Sequence, residues 1–155
     1  VGFVKDMAAS KEAVGLLMDF FADQGEVVVE CDKATQQLGD IKLERPDGDV
    51  YVEVKYDIMA KRTGNLCFEL ANNKGATGIT TTGATWVYYV VPCEGTQRLI
   101  FAFETAALRS FLDTSKCVKI KNGGDGKRFT LAIVSIKDII ASAPHKSFFL
   151  SANNA

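Results

Sequence analysis

Asp40, Glu53 and Lys55 are the residues of this 155-residue chain whose types and spacing fit a shared chemistry. Asp40 follows Gly39 and opens an alternating stretch, residues 39–45, in which Ile41 and Leu43 alternate with Asp40, Lys42 and Glu44. Glu53 and Lys55 lie in a second such stretch, Val50–Tyr56, where Val50, Val52 and Val54 alternate with Tyr51, Glu53 and Lys55. Pro46-Asp47-Gly48-Asp49 between them is a strong turn signal. Together they read as a β-hairpin with one apolar face and one charged face. With Asp47-Gly48 as a two-residue turn, Asp40 stands opposite Lys55 and Lys42 opposite Glu53. Asp40 and Glu53 are then diagonal neighbours on one face. A bulge in the turn would shift this register by one residue and break the alignment.

Two hard oxygen ligands on adjacent strands suit Mg²⁺ or Mn²⁺. A phosphodiester approaching such an ion brings further oxygens, and the ion offsets charge that develops on phosphorus. Lys55 then has a part to play: an ammonium beside the attacking water orients it and offsets negative charge in the transition state. By itself the spacing also fits a solvated hairpin face whose cross-strand ion pairs contribute about 0.2–1 kcal/mol each.

The elements that must position these residues follow from periodicity. Residues 5–24 read as a helix, with Met7, Val14, Leu17, Met18 and Phe21 in one apolar stripe and Gly25 as its stop. Residues 26–31 form a short β-branched strand before the hairpin. Residues 65–70 alternate as a strand, with a helical turn as the other reading. Residues 72–83, rich in Gly, Asn and Thr, read as a loop. Residues 86–91 form a buried central strand stopped by Pro92, and residues 98–103 another. Residues 104–112 read as a helix. Residues 117–121 and 128–134 read as a second hairpin around a glycine-rich turn. Residues 136–141 are a last helix with Ser135 as N-cap, and Pro144 leads into a tail. This order predicts one α/β domain over 1–155: a mixed central sheet flanked by helices. Its core covers about 5–91, and 98–142 complete it with strands, a helix and a basic hairpin.

Gly39-Asp40 followed by Glu53-Val54-Lys55, behind a helix, resembles the core of the PD-(D/E)XK nuclease superfamily. Two further stretches strengthen the resemblance. Thr63-Gly64-Asn65, followed by Glu69, is similar to a TGN-x-x-x-E segment of phage-type members. Thr77-Gly78-Ile79, followed by Ala84, Trp86 and Val87, is similar to the segment that comes after it there. The departures are Gly39, where Pro is common, and Thr77, where Ser is. The resemblance implies a restriction-endonuclease-like fold with Asp40, Glu53 and Lys55 catalytic. It implies Mg²⁺ or Mn²⁺ on Asp40 and Glu53, with Glu12 of the first helix and Glu69 as further candidate ligands. The implied activity is DNA endonuclease, on branched or site-specific duplex DNA, by phage-type Holliday-junction resolvase or homing endonuclease members. A catalytically inactive nucleic-acid-binding domain with the same fold is the alternative.

Basic residues cluster in two places that suit a phosphate backbone. Lys61, Arg62 and Lys74 surround the expected site, and Lys119, Lys121, Lys127 and Arg128 flank the glycine-rich turn. An edge hairpin guarded by Lys against aggregation is the other reading of the second cluster. The net charge of -1 gives no overall attraction to nucleic acid, so the clusters must supply it. Four widely spaced cysteines with a single His145 make no zinc set, and read as reduced thiols buried as small hydrophobes. No apolar run of about eighteen residues marks a membrane span, and residues 1–24 lack the apolar segment of a signal peptide. A cytoplasmic protein is expected, in the host cell if phage-encoded. A homodimer would supply the two sites needed to cut two strands.

Overall fold

The structure is a computed structural model that describes residues 2–123, 126 and 128–152, with side chains from Met7 onward. Its elements in chain order are α1 (Gly2–Asp23), β1 (Val27–Glu30), β2 (Ile41–Glu44), β3 (Val50–Tyr56), α2 (Ala60–Thr63), β4 (Asn65–Asn72) and β5 (Gly75–Ala76). Then come β6 (Trp86–Pro92), β7 (Gln97–Glu104), α3 (Thr105–Thr114), β8 (Lys119–Gly123), β9 (Phe129–Ser135), α4 (Ile136–Ser142) and β10 (Lys146–Ser151).

The strands form two sheets and not the single mixed sheet expected. The larger has six strands in the order β1-β2-β3-β6-β7-β10, antiparallel except where β3 runs parallel to β6. The smaller has the order β5-β4-β9-β8 and is antiparallel throughout. The second hairpin therefore exists, but β9 pairs with β4 away from the large sheet. Leu66, Phe68, Ala132 and Val134 explain the split: they form one continuous apolar face that needs a partner sheet to bury it.

The result is a single compact domain with two apolar layers. On one side of the large sheet, Ala13, Leu17 and Phe21 of α1 pack on Ile41, Leu43, Val52, Val90 and Ile100. On the other side, Val87, Tyr89, Phe101 and Phe103 meet the small sheet, with Leu108 of α3 and Ile139 of α4 closing the layer. The helix stripe and the strand alternation read from the sequence are what sort these side chains. Ser135 caps α4 as expected, its hydroxyl accepting the Asp138 N–H at 3.0 Å.

Three expectations need correction. The tail after Pro144 is an edge strand: β10 pairs with β7, and Phe148 stacks on Phe20 of α1 at 4.9 Å while Phe149 stays 61% exposed. Its alternation is the ordinary strand pattern. The four cysteines are free thiols but only half-buried. The hairpin turn spans Arg45 to Gly48, with the Gly48 N–H donating to the Arg45 carbonyl at 3.1 Å. Pro46 thus takes the position its fixed φ favours. Pairing becomes Ile41 with Val52, Lys42 with Tyr51 and Leu43 with Val50, so Lys42 does not face Glu53. The shift is even, and every side chain keeps its face.

A buried phenol joins the two sheets. Tyr89 of β6 is 1% exposed, and its hydroxyl donates to Asp57 Oδ2 at 2.7 Å while accepting the Cys67 N–H of β4 at 3.0 Å. β5 covers only Asn72 and Ala71 of β4, so the phenol takes the place of a ladder partner further up that edge. Burial pushes the phenol far above its ordinary pKa, so it stays protonated and can donate. Tyr89→Phe keeps the ring and strips the hydroxyl, leaving a buried N–H unmatched. The expected loss is about 1–3 kcal/mol in urea unfolding, and a loss below that range would show the hydroxyl to be dispensable.

Candidate active site

Gly39 decides how the chain enters β2. Its φ is +147°, and a Cβ on it would lie 2.9 Å from the Val52 carbonyl oxygen. Only a residue without a side chain can press so closely on β3. Proline, with φ fixed near −65°, could not take this conformation, which accounts for glycine before Asp40. The close approach places Asp40 against the centre of β3. The Asp40 N–H donates to the Val52 carbonyl at 2.8 Å, and Asp40 Oδ2 accepts the Val54 N–H at 2.8 Å. The carboxylate therefore stands in for a ladder carbonyl, and no hydrogen bond among the described residues uses its other oxygen.

Glu53 and Lys55 alternate with Val52 and Val54, which pack toward α1, so they project from the other face of the large sheet. Lys55 Nζ is 3.9 Å from Glu53 Oε1, with 40% of its side chain exposed. Thr82 Oγ1 donates to Glu53 Oε2 at 3.4 Å. Glu69 comes from the small sheet. Glu53, Lys55, Glu69 and Thr82 line one recess of about 10 Å³ whose apolar walls include Phe68, Ile79 and Val87. That volume suits roughly one water or ion. The turn at 78–80 lies so close on β4 that a Cβ on Gly78, whose φ is +57°, would overlap the Glu69 carbonyl. Glycine in the Thr77-Gly78-Ile79 segment is thus a packing requirement of the site wall.

Burial raises the pKa of Glu53, and the nearby charge of Asp40 raises it further against the pull of Lys55 and the Thr82 hydroxyl. Burial likewise raises that of Asp40, opposed by the Val54 N–H and by Lys55. Both carboxylates are therefore costly to ionise as the chain stands, and a cation between them would relieve that cost. Two carboxylates with an uncommitted oxygen on Asp40 fit a divalent ion that takes its remaining oxygens from water and phosphate. Among the described residues no set of three His, Cys, Asp or Glu side chains is arranged to hold a metal. The fit therefore rests on the Asp40–Glu53 pair.

Glu53, Lys55 and Glu69 line the recess, Asp40 lies near enough to Glu53 to raise its pKa but does not line the recess, and Glu12 is left out. Glu12 lies on α1, across the large sheet from Glu53, and pairs with Arg98 at 2.7 Å. The α1 stripe that buries Leu17 fixes it on that side. Lys61 pairs with Glu94 at 2.8 Å, while Arg62 and Lys74 are exposed on α2 and the β4–β5 turn. Lys119 and Lys121 are exposed on β8 and paired with Ile133 and Leu131. Those two residues pair in turn with Cys67 and Glu69 of β4. Directly paired residues share a face, so these two lysines lie on the same sheet face as Glu69, two strands away, at about 10 Å. Arg128 is exposed just before β9, and Lys127 lies outside the described residues.

Sequence reasoning missed Thr82, Asp57 and Arg109. Thr82 is one of three consecutive threonines, and nothing in that run marks the one that reaches Glu53. Asp57 follows β3, accepts the Tyr89 hydroxyl on one oxygen and, on the other, accepts the N–H groups of Met59 at 2.8 Å and of Ala60, the first residue of α2, at 3.1 Å. Its position two residues ahead of Met59 is a capping signal that could have been read. Trp86 and Tyr88 sit half-buried on the α1 side, and Tyr89 is core, as the apolar strand implied.

No protein-family model matches the chain, and no curated protein matches it in sequence.

The raised carboxyl pKa values have a consequence for stability. A carboxyl that titrates higher folded than unfolded binds more protons in the folded state between the two values, so stability falls as pH rises through that window. Without metal, unfolding free energy should therefore decline from about pH 4 upward as Asp40 and Glu53 ionise. Asp40→Asn and Glu53→Gln should each flatten that decline and be no less stable than the parent at neutral pH. Urea titrations in EDTA across the range test this. Variants clearly weaker than the parent would make the two acids structural partners.

Proposed function

We propose that this protein is a metal-dependent nuclease that hydrolyses phosphodiester bonds in DNA, built on a restriction-endonuclease-like core. The observation that carries the reading is the placement of Asp40, Glu53 and Lys55. Two carboxylates that resist ionising without a cation sit on neighbouring strands, with an ammonium at their rim. A solvated hairpin face would leave both acids hydrated, with pKa values near ordinary ones. The motif resemblance supports the same conclusion.

Asp40 and Glu53 would hold Mg²⁺ or Mn²⁺, which when bound would neutralise charge on the phosphoryl oxygens and acidify water. The chain's own residues have separate tasks. Asp40 is locked by the Val54 N–H, so its free oxygen has one direction to present. Glu53 is held under Thr82. Lys55 is exposed enough to meet a substrate, and it orients the attacking water and offsets charge on the phosphate. Water adds to phosphorus, the bond to one ester oxygen breaks, and that oxygen leaves as a hydroxyl after taking a proton. The recess admits roughly one water or ion, so the nucleic acid lies outside it. Lys119 and Lys121, on the same sheet face as Glu69, would take its backbone. Two copies of the chain would cut two strands.

No helix among the described residues is long and apolar enough to cross a membrane.

Incubation with supercoiled plasmid and with a four-way junction tests the activity. Nicking is expected in Mg²⁺ or Mn²⁺ and none in EDTA; no cleavage of either substrate under any of these conditions would overturn the reading. Lys55→Ala should abolish cleavage while DNA affinity stays within a few-fold. Binding that collapses together with activity would make Lys55 a docking residue. Lys119→Ala with Lys121→Ala should weaken DNA binding and flatten its log–log salt slope by about 1.8, at roughly 0.9 for each lost phosphate contact. An unchanged slope would leave β8 as a guarded sheet edge.

A further inference from the structure

Arg109 lies on α3, no residue of which lines the recess. Its half-buried guanidinium donates from Nε to the Ile79 carbonyl and from Nη2 to the Thr82 carbonyl, each at 2.7 Å. Among the described residues it has no carboxylate partner, so its ionic hydrogen bonds go to main chain. The carbonyls it holds belong to the 78–82 segment, which walls the recess at two points. Gly78 presses on Glu69, and the Thr82 hydroxyl reaches Glu53. One side chain therefore holds one segment that bonds the Glu53 carboxylate on one sheet and presses on the Glu69 main chain on the other.

The segment is anchored at its start by Ile79, buried in the core, and by the Thr77 N–H on the Leu70 carbonyl at 3.0 Å, which leaves its Thr82 end to Arg109. Its internal bonds, Thr80 N–H to the Thr77 carbonyl at 3.1 Å and Thr82 N–H to the Gly78 carbonyl at 3.0 Å, close only short turns. Gly83 N–H reaches the Gln37 carbonyl at 3.2 Å. The Arg109 bonds are shorter and charge-assisted, a class roughly twice as strong as neutral ones. A fork of two parallel donors matters here, because a lysine ammonium is a point charge without that planar geometry.

We propose that Arg109 is a positioning residue of the site, acting through the 78–82 segment to hold Glu53, one acid of the Asp40–Glu53 pair, in place for a divalent cation. This rests on the metal-dependent reading above. It places the control of the site on α3, on a residue that touches neither substrate nor ion.

Mn²⁺ binding by calorimetry on the whole chain tests it, using Arg109→Lys, Thr82→Val and the two combined, with amide exchange and melting in EDTA alongside. The parent should bind Mn²⁺. Arg109→Lys should bind it about 10–100-fold more weakly at temperatures where it is folded, the usual effect of losing an outer support of a metal site. Exchange should quicken at Thr82 and Gly83 and not at the centre of β6. The combined variant should be no weaker than Arg109→Lys alone, within about twofold, because both changes cut one line of support. Unchanged Mn²⁺ affinity in folded Arg109→Lys overturns the assignment, as does a combined loss equal to the product of the two single losses. Should Arg109→Lys not fold, Thr82→Val carries the test. Weaker Mn²⁺ binding at an unchanged melting temperature supports the segment's role, and unaltered binding overturns it. A parent that binds no Mn²⁺ overturns the metal-dependent reading itself, whatever the variants do.

Discussion

The Tyr89 hydroxyl is the point on which the two sheets depend. It sits in β6 beside β3, where Lys55 is its parallel neighbour. From there it reaches Asp57 beyond the end of β3 and the Cys67 N–H on β4. Two apolar faces packed together could slide, because the hydrophobic effect has no direction. Hydrogen bonds do have direction, and a buried donor left without a partner is costly. The phenol therefore sets how β4 lies against β3, and with it how Glu69 lies against Glu53 and Lys55. Phe68 adds shape to the same contact, meeting the Tyr89 ring edge-on at 5.4 Å.

Within that frame the electrostatics disfavour two ionised carboxylates at Asp40 and Glu53. Lys55 is 3.9 Å from Glu53 and well exposed, the geometry of a surface pair worth about 0–1 kcal/mol. That attraction is too weak to offset the burial of two carboxylates, so both pKa values move up and not down. The fold tolerates the cost because contacts on every side brace the site. Gly39 cannot retreat from β3 without losing the Asp40 hydrogen bonds, and Gly78 cannot back away from Glu69 while Arg109 holds its segment. The chain stores an unfavourable charge arrangement at one point and supports it from β2, β4 and α3. Such a cost is common where function and stability compete.

Much of this was legible in the chain. The alternation in 39–45 and 50–56 assigned a face to Asp40, Glu53 and Lys55, because strand side chains have a period of two and neither sheet twist nor partner choice can change it. An error in turn type moved the register by two residues and left the faces intact. The α1 stripe, the buried β6 and the capped α4 were readable for the same local reason. β10 was not, since Lys146, Ser147 and Ser151 dilute a strand signal that only pairing with β7 completes.

Sequence by itself thus determined which side chains share a face and which residue types could act together. It could not place Glu12 and Glu69, two acids that were both candidates on paper. Tertiary structure put α1 on one side of the large sheet and β4 on the other, so Glu12 went to Arg98 and Glu69 to the recess. Nor could it find Arg109, whose partners are carbonyls thirty and twenty-seven positions away. Carbonyls are the same in every residue, and a bond to one leaves no mark on the sequence. The division follows from range: periodicity is set by neighbours along the chain, whereas a site that joins two sheets is set by how their apolar faces meet.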